Sequence, residues 1–135
     1  MKIKMLILFL ILSGGAIMAQ SRSTSVEKGV QELTQRYQLN DQQIAEMYTI
    51  MERKERNLAE IAELETTDYR VYLEKKRIIR THTDGSIRRF LNEDQRQIQR
   101  EEQLAYRRTT SDMIKKLQAA GKTKAEIELI LLERG

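Results

Sequence analysis

The sequence predicts an all-α protein: a small extended bundle of about four long helices, arranged as helical hairpins, with a short C-terminal helix, after a cleaved signal peptide. Charged residues make up 33% of the 135 residues and aromatic residues only 5%, a composition that suits long amphipathic helices. Apolar residues also recur with helical spacing. Because so small a chain with few aromatic residues buries a modest core, we expect a second copy to complete it as a homodimer.

The first 19 residues have the order of a secretory signal peptide. Lys2 and Lys4 precede an unbroken apolar run, and small residues then lead to Ala19, after which we expect cleavage. An uncleaved membrane anchor is the alternative, but the apolar stretch is shorter than the roughly 20 residues that a spanning helix needs. Cleavage removes two lysines and no acid, which lowers the net charge from +4 to +2 and weakens the case for a nucleic-acid partner.

Apolar stripes predict the first two helices of the mature chain. We expect a disordered segment at 20–25, and then a helical domain over 26–119 whose first helix runs from Val26 to Tyr37. The second helix is predicted to run to about Leu64. The polar segment that follows predicts a break, with Thr66 or Thr67 as the next helix cap.

The third predicted helix covers Tyr69 to Phe90, and the fourth begins a few residues later. The polar run 109–112 could interrupt the fourth helix. Gly121 is predicted as the residue just past its end, where glycine is favoured. A capping box at Thr123 and Glu126 then opens the C-terminal helix, within segment 120–135.

A helix-starting motif occurs twice in the mature chain. In its first copy Asn40 is placed to cap the helix, Gln43 to close a capping box, and Leu39 to pack against the first turn. The same Leu-Asn-x-x-Gln pattern returns 52 residues later, at Leu91, Asn92 and Gln95. Since capping boxes fix helix starts, these six residues can act structurally without touching any ligand.

These paired motifs in a small exported helical protein resemble the Spy/CpxP family of periplasmic proteins, which carries paired Leu-Thr-x-x-Gln motifs. Asn replaces Thr at both boxes, and Asn caps a helix at least as well. The resemblance covers about residues 26–108 and leaves the C-terminal helix unplaced. It implies an ATP-independent chaperone or an envelope stress-response protein of the periplasm, acting on unfolded or envelope proteins, with a curved dimer whose concave face is basic with apolar patches.

Arginines and two methionines are the candidate client-binding residues. They recur with near-helical spacing on the third and fourth helices, and the methionines lie on the second: Arg77, Arg80, Arg88, Arg89, Arg96, Arg100, Met47 and Met51. A basic face attracts acidic client segments over about 10 Å at moderate salt. The alternative is that the arginines form a solvated face and that both methionines, which lie on the buried stripe, belong to the core.

The sequence offers no chemistry of an enzyme. It has no Cys, a single His (His82) and no serine in a Gly-x-Ser-x-Gly nucleophile elbow. We therefore expect no catalytic residues, no metal site and no cofactor. The leading hypothesis is an exported chaperone or envelope stress-response protein. The alternatives are a regulator that binds an envelope sensor protein, and a structural helical assembly protein. After signal cleavage we expect no stable membrane anchor.

Overall fold

The computed structural model describes residues 22–135, so the predicted signal peptide lies outside the described residues. The described chain is all-α and contains no strand. Its six helices are α1 (Thr24–Tyr37), α2 (Asp41–Glu60), α3 (Leu64–Thr67), α4 (Tyr69–Phe90), α5 (Glu93–Ala119) and α6 (Lys124–Arg134). The prediction of four long helices and a short C-terminal helix is confirmed. None of the helices in 22–135 has the length and apolar character that crossing a bilayer requires.

Helix α1 begins inside the segment that the sequence analysis predicted as disordered. The Ser23 side chain accepts a hydrogen bond from the Val26 backbone N–H at 3.3 Å, which caps the helix. The same hydroxyl donates to the Glu55 carboxylate of α2 at 2.6 Å. The helix ends at Tyr37, and the next residue, Gln38, has a left-handed φ of 51° that turns the chain toward α2.

Helix α2 is shorter than predicted. It ends at Glu60 rather than near Leu64, because tighter backbone bonds such as Ile61 N–H to Leu58 O (3.3 Å) follow it, and the single turn α3 comes next. The cap of α4 is Asp68, which accepts from the Val71 N–H at 3.2 Å. The predicted caps Thr66 and Thr67 instead donate their hydroxyls back to a carbonyl of the preceding turn.

Helices α5 and α6 start where the sequence predicts. Helix α5 runs unbroken through 109–112, since the Thr109 hydroxyl bonds back to the Tyr106 carbonyl within the helix, at 2.9 Å, and leaves the backbone ladder intact. Gly121, with φ of +76°, ends α5 as predicted. The Thr123 and Glu126 capping box opens α6.

The core lies where α1, α2 and the end of α4 meet. Helix α2 packs against both α1 and α4, while α6 packs against α4 and α5. The buried cluster is Val26, Val30, Tyr37, Leu39, Met47, Ile50, Ile87 and Leu91. Along α5, by contrast, only Gln95 and Gln99 are buried. The molecule is therefore well packed at one end, and α5 extends away from the core with most of its length in solvent.

Candidate functional site

The two Leu-Asn-x-x-Gln motifs form complete capping boxes. Asn40 Oδ1 accepts from the Gln43 N–H at 2.9 Å, and Gln43 Oε1 accepts from the Asn40 N–H at 3.1 Å. The second box repeats these bonds at 2.9 and 3.0 Å, between Asn92 and Gln95. Each box thereby satisfies backbone N–H groups that a helix start would otherwise leave unpaired.

The two boxes are also hydrogen-bonded to each other, which the sequence did not predict. Gln43 Nε2 donates to Gln95 Oε1 at 2.7 Å, and Gln95 Nε2 donates to Gln43 Oε1 at 3.0 Å. Each remaining amide hydrogen reaches the helix that precedes the other box. Gln43 Nε2 donates to Phe90 O at the end of α4, at 3.2 Å, and Gln95 Nε2 donates to Tyr37 O at the end of α1, at 3.0 Å. Both donors and both acceptor positions of each buried amide are used. We call this arrangement the glutamine junction.

The glutamine junction is structural in itself. Its amides have no free donor or acceptor position left for a ligand, and the motif leucines beside it are buried, with Leu91 at 1% exposure. Four segments of chain meet here: the ends of α1 and α4 and the starts of α2 and α5. The junction therefore sets the angle at which α5 leaves the core.

An open cleft of about 690 Å³ lies beside the junction, between α1, α4 and α5. Basic, acidic and aromatic side chains surround it. Its lining comprises Leu33, Arg36, Tyr37, Arg80, Thr81, Asp84, Gly85, Ile87, Arg88, Gln99, Glu102, Gln103, Tyr106 and Arg107. Its size is within the range of ligand-binding clefts. The surface it offers is mixed: four arginines, two acids, and apolar contact from both aliphatic and aromatic residues.

Hydrogen bonds and charges fix the wall of the cleft nearest α1. The Tyr37 hydroxyl donates to Glu102 Oε2 at 3.0 Å, and Arg36 Nε lies 3.6 Å from Glu102 Oε1. Burial of Tyr37, together with the bond to Glu102, raises the pKa of Tyr37 to about 12. Tyr37 therefore stays neutral at physiological pH and acts as a fixed hydrogen-bond donor in this wall.

The facing wall, on α4, carries Asp84 and Arg80. Desolvation raises the pKa of Asp84 above its ordinary value, and the charges of Arg80 and Lys54 act in the opposite direction. The Arg80 guanidinium lies 5.8 Å from the centre of the Tyr106 ring, across the cleft on α5. Such a cation–π contact links α4 to α5 across the cleft.

The candidate arginines separate into two groups. Arg80 and Arg88 line the cleft. Arg100 instead bonds Glu93 at 2.8 Å, and Arg96 approaches the same carboxylate at 3.8 Å, both outside the cleft.

The last two candidate arginines also lie apart from the cleft. Arg89 donates to the Ser86 hydroxyl at 3.1 Å, and Arg53 of α2 donates to the same hydroxyl at 2.8 Å. Arg77 is exposed on α4. The structure therefore does not bring the six arginines together into one face.

The two methionines belong to the core rather than to a surface. Met47 has 0% exposure and offers nothing to a client in this structure, which corrects its selection as a binding residue. Met51 is half-buried against the core, and its methyl group lies where a Cβ at Gly29 would stand. Their position on the apolar stripe of α2 explains this, since that stripe faces α1 and α4.

Several cleft residues were missed by the sequence analysis: Arg36, Tyr37, Asp84, Gln99, Glu102 and Tyr106. A signal for those on α5 was present. Gln95, Gln99, Glu102 and Tyr106 recur at intervals of four, three and four, so they share one helix face. Three of these four residues are polar, whereas the core-facing stripe of a helix is usually apolar.

Metal-binding clusters of three or more His, Asp or Glu side chains are absent from residues 22–135. His82 is exposed on α4. Comparison with protein-family models, with curated proteins and with solved structures gave no match for this chain. The resemblance to the Spy/CpxP family therefore rests on the two motifs and their context alone.

Proposed function

We propose that this protein is an exported, ATP-independent chaperone or envelope stress-response protein that holds unfolded or partner proteins. The observation that carries this proposal is the pairing of the two Leu-Asn-x-x-Gln boxes through Gln43 and Gln95, 2.7 Å apart, beside an open cleft. The paired boxes are the feature by which the sequence resembles the Spy/CpxP family. The signal-peptide pattern at 1–19 supports export, and the resemblance implies the periplasm as the compartment.

The cleft suits weak and unselective binding of unfolded chains. Arg80, Arg88 and Arg107 supply positive charge, and Leu33 and Tyr106 supply apolar contact. None of these three arginines has a carboxylate oxygen within 4.0 Å among the described residues. Acidic client segments would be attracted by these charges, while the open shape of the cleft imposes little shape selection.

A second copy of the chain remains part of the proposal. Large apolar side chains are exposed on α4 and α5: Tyr69, Ile78, Ile98, Leu104 and Tyr106, with Leu104 at 49%. Covering such side chains in a dimer would remove apolar surface from water, which is favourable. A homodimer formed along α5 would cover part of it and would give two clefts on one particle.

The test is a refolding assay on protein that starts at Gln20. A denatured reference protein is diluted into buffer with and without stoichiometric amounts of it, at low and high salt, and light scattering is followed. We expect suppression of scattering that weakens with salt. The Arg88→Gln/Arg107→Gln double variant should suppress less, and the matched control Arg96→Gln/Arg100→Gln, with the same charge loss outside the cleft, should behave as the unsubstituted protein.

Unchanged scattering at stoichiometric ratio would contradict the holdase role. The regulator that binds an envelope sensor protein would then be the better proposal, and a pull-down from envelope extract dominated by one membrane sensor would support it. Equal loss in the two double variants would show that overall charge matters and that the cleft does not.

A further inference from the structure

Helix α6 holds α4 and α5 together where these two helices have separated. It packs against both of them, whereas α4 and α5 make little direct contact with each other. Beyond the contacts of Glu102 and Tyr106 at the cleft, the C-terminal part of α5 therefore depends on α6 for its position. The groove between α4 and α5 is a docking place for a helix, and in this structure α6 occupies it.

Polar contacts of α6 in the groove are exposed. Arg70 of α4 lies 3.0 Å from the Glu128 carboxylate, and their side chains are 49% and 56% exposed. Arg134 donates to the Thr109 hydroxyl at 3.0 Å, across to α5. Exposed ion pairs contribute roughly 0–1 kcal/mol each, so these contacts orient α6 more than they hold it.

Apolar contacts of α6 are incomplete as well. Ile127 is its one buried residue, at 8% exposure, and the other aliphatic residues, Leu129, Ile130, Leu131 and Leu132, are only half-buried. The connection to α5 turns at Gly121, with φ of +76°. A short helix with a single fully buried side chain and four partly buried ones opens more readily than the helices of the core.

The chemistry of α6 shows what the groove accepts. The helix is rich in aliphatic residues and mixed in charge: Glu126, Glu128 and Glu133 stand beside Lys124 and Arg134. On the groove side, Arg70 pairs with Glu128, and Tyr69 lies near Glu133. Desolvation and, after it, the charge of Glu133 raise the pKa of Tyr69. Charge and apolar character are thus matched between the helix and the groove.

We propose that the groove between α4 and α5 is a docking site for a short aliphatic helix of another protein that carries one carboxylate opposite Arg70, and that α6 is its internal occupant, displaced when the partner binds. The partner helix places an aliphatic side chain where Ile127 lies and a carboxylate against Arg70. This recognition mode is the insertion of a helix into a groove. The docking site goes beyond the chaperone proposal and does not depend on it.

The test uses a fluorescent peptide with the sequence of residues 122–135 as the probe. Its binding is measured by fluorescence polarisation to the chain that starts at Gln20 and to the Ile127→Asp variant, in which a buried charge undocks the resident α6. We expect the variant to bind the peptide at least about tenfold more tightly, since the competing internal helix is removed. The control Ala125→Asp, which adds the same charge at an exposed position of α6, should bind as the unsubstituted chain does.

Two further variants define the contacts. A peptide that carries Ile127→Asp itself should not bind. Adding Arg70→Gln to the Ile127→Asp chain should weaken peptide binding severalfold, and more so at low salt than at high salt. Equal binding to the unsubstituted and Ile127→Asp chains, or equal binding of the two peptides, would overturn the proposal.

A second measurement on the unsubstituted chain covers the case in which Ile127→Asp misfolds. Amide hydrogen exchange is followed with and without excess peptide. We expect faster exchange in α6 when the peptide is present and unchanged exchange in α1 and α2. Unchanged exchange in α6 would also overturn displacement. Neither result bears on the refolding assay, so this proposal and the chaperone proposal can fail separately.

Discussion

Helices α2, α5 and α6 each begin with a capping box, but the three boxes differ in their tertiary contacts. The boxes at Asn40 and Asn92 are joined through Gln43 and Gln95 and lie at the packed end of the molecule. The box at Thr123 stands alone and exposed, and its closing residue, Glu126, is bonded by Lys122 at 2.9 Å. The local bonds are alike in all three, yet only the first two boxes organise the tertiary structure.

The difference follows from the closing residue and its surroundings. A glutamine amide has two donors and can serve its own box, a second glutamine and a helix end at once, whereas a glutamate has acceptors only. Burial then makes every one of those bonds costly to lose. Four experiments test how the paired boxes, the exposed box and their surroundings differ in stability.

The largest effect is expected at the glutamine junction. Gln95→Ala removes the bonds to Gln43 and to Tyr37 O and leaves buried polar groups unpaired, which should lower the free energy of unfolding by about 2–4 kcal/mol. Urea denaturation measures it. Gln43→Ala should cost a similar amount, and the double variant should cost less than the sum of the two. Additive losses would show that the two amides are not coupled.

A smaller and local effect is expected for α6. Ile127→Ala removes its one buried side chain and should weaken the attachment of α6 by about 1–3 kcal/mol. Hydrogen exchange should accelerate within 124–134 and stay unchanged in α1 and α2. The matched change Ile50→Ala, in the core, should instead accelerate exchange throughout the protein. A global effect of Ile127→Ala would contradict the view of α6 as a separately opening helix.

Alkaline pH probes the wall of the cleft. Because the folded state raises the pKa of Tyr37 from 10 to about 12, its contribution to the free energy of unfolding is constant below pH 10 and is lost as pH rises toward 12. We expect a loss of about 1 kcal/mol after allowance for solvent screening. Tyr37→Phe should remove this part of the pH dependence. An identical alkaline profile for the Phe variant would contradict it.

Acid should affect the exposed box alone. Hydrogen bonds from Lys122, and then from Thr123, lower the pKa of Glu126 from 4.5 to about 2. The stability that Glu126 gives to α6 is therefore present above pH 4.5 and is lost as pH falls toward 2. Amide exchange at the start of α6 should accelerate in that range, while Asn40 and Asn92 keep their boxes. Glu126→Gln, which can still close a box, should lose this pH dependence.

Sequence reasoning was most successful where interactions are local. The starts of α2, α5 and α6 were predicted from Asn40, Asn92 and Thr123, because a cap bonds to a backbone group three residues away. The end of α2 was placed about four residues too late. The cap of α4 was also predicted wrongly, since Thr66 and Thr67 look like caps in isolation and Asp68 takes the role. Several candidate caps in a row are equivalent until the packing of the following helix selects one.

The candidate site was predicted less well, for the same reason. Arg80 and Arg88 do line the cleft, but Arg96 and Arg100 are paired with Glu93 beside it, and helical spacing alone does not separate these groups. Met47 was selected for its type, and its complete burial depends on how α1 and α4 cover α2. Spacing shows which residues share a face of one helix, whereas exposure depends on the neighbours of that helix.

The residues alone indicate a helical protein, the starts of most of its helices and the end of α5 at Gly121, because these features depend on interactions within a few residues. The exchange of hydrogen bonds between Gln43 and Gln95, which lie 52 residues apart, arises only in the folded molecule. The same holds for the departure of α5 from the core and for the position of α6 between α4 and α5. A side-chain amide has the same bonding capacity in every context, and the fold alone brings its second partner within 3 Å.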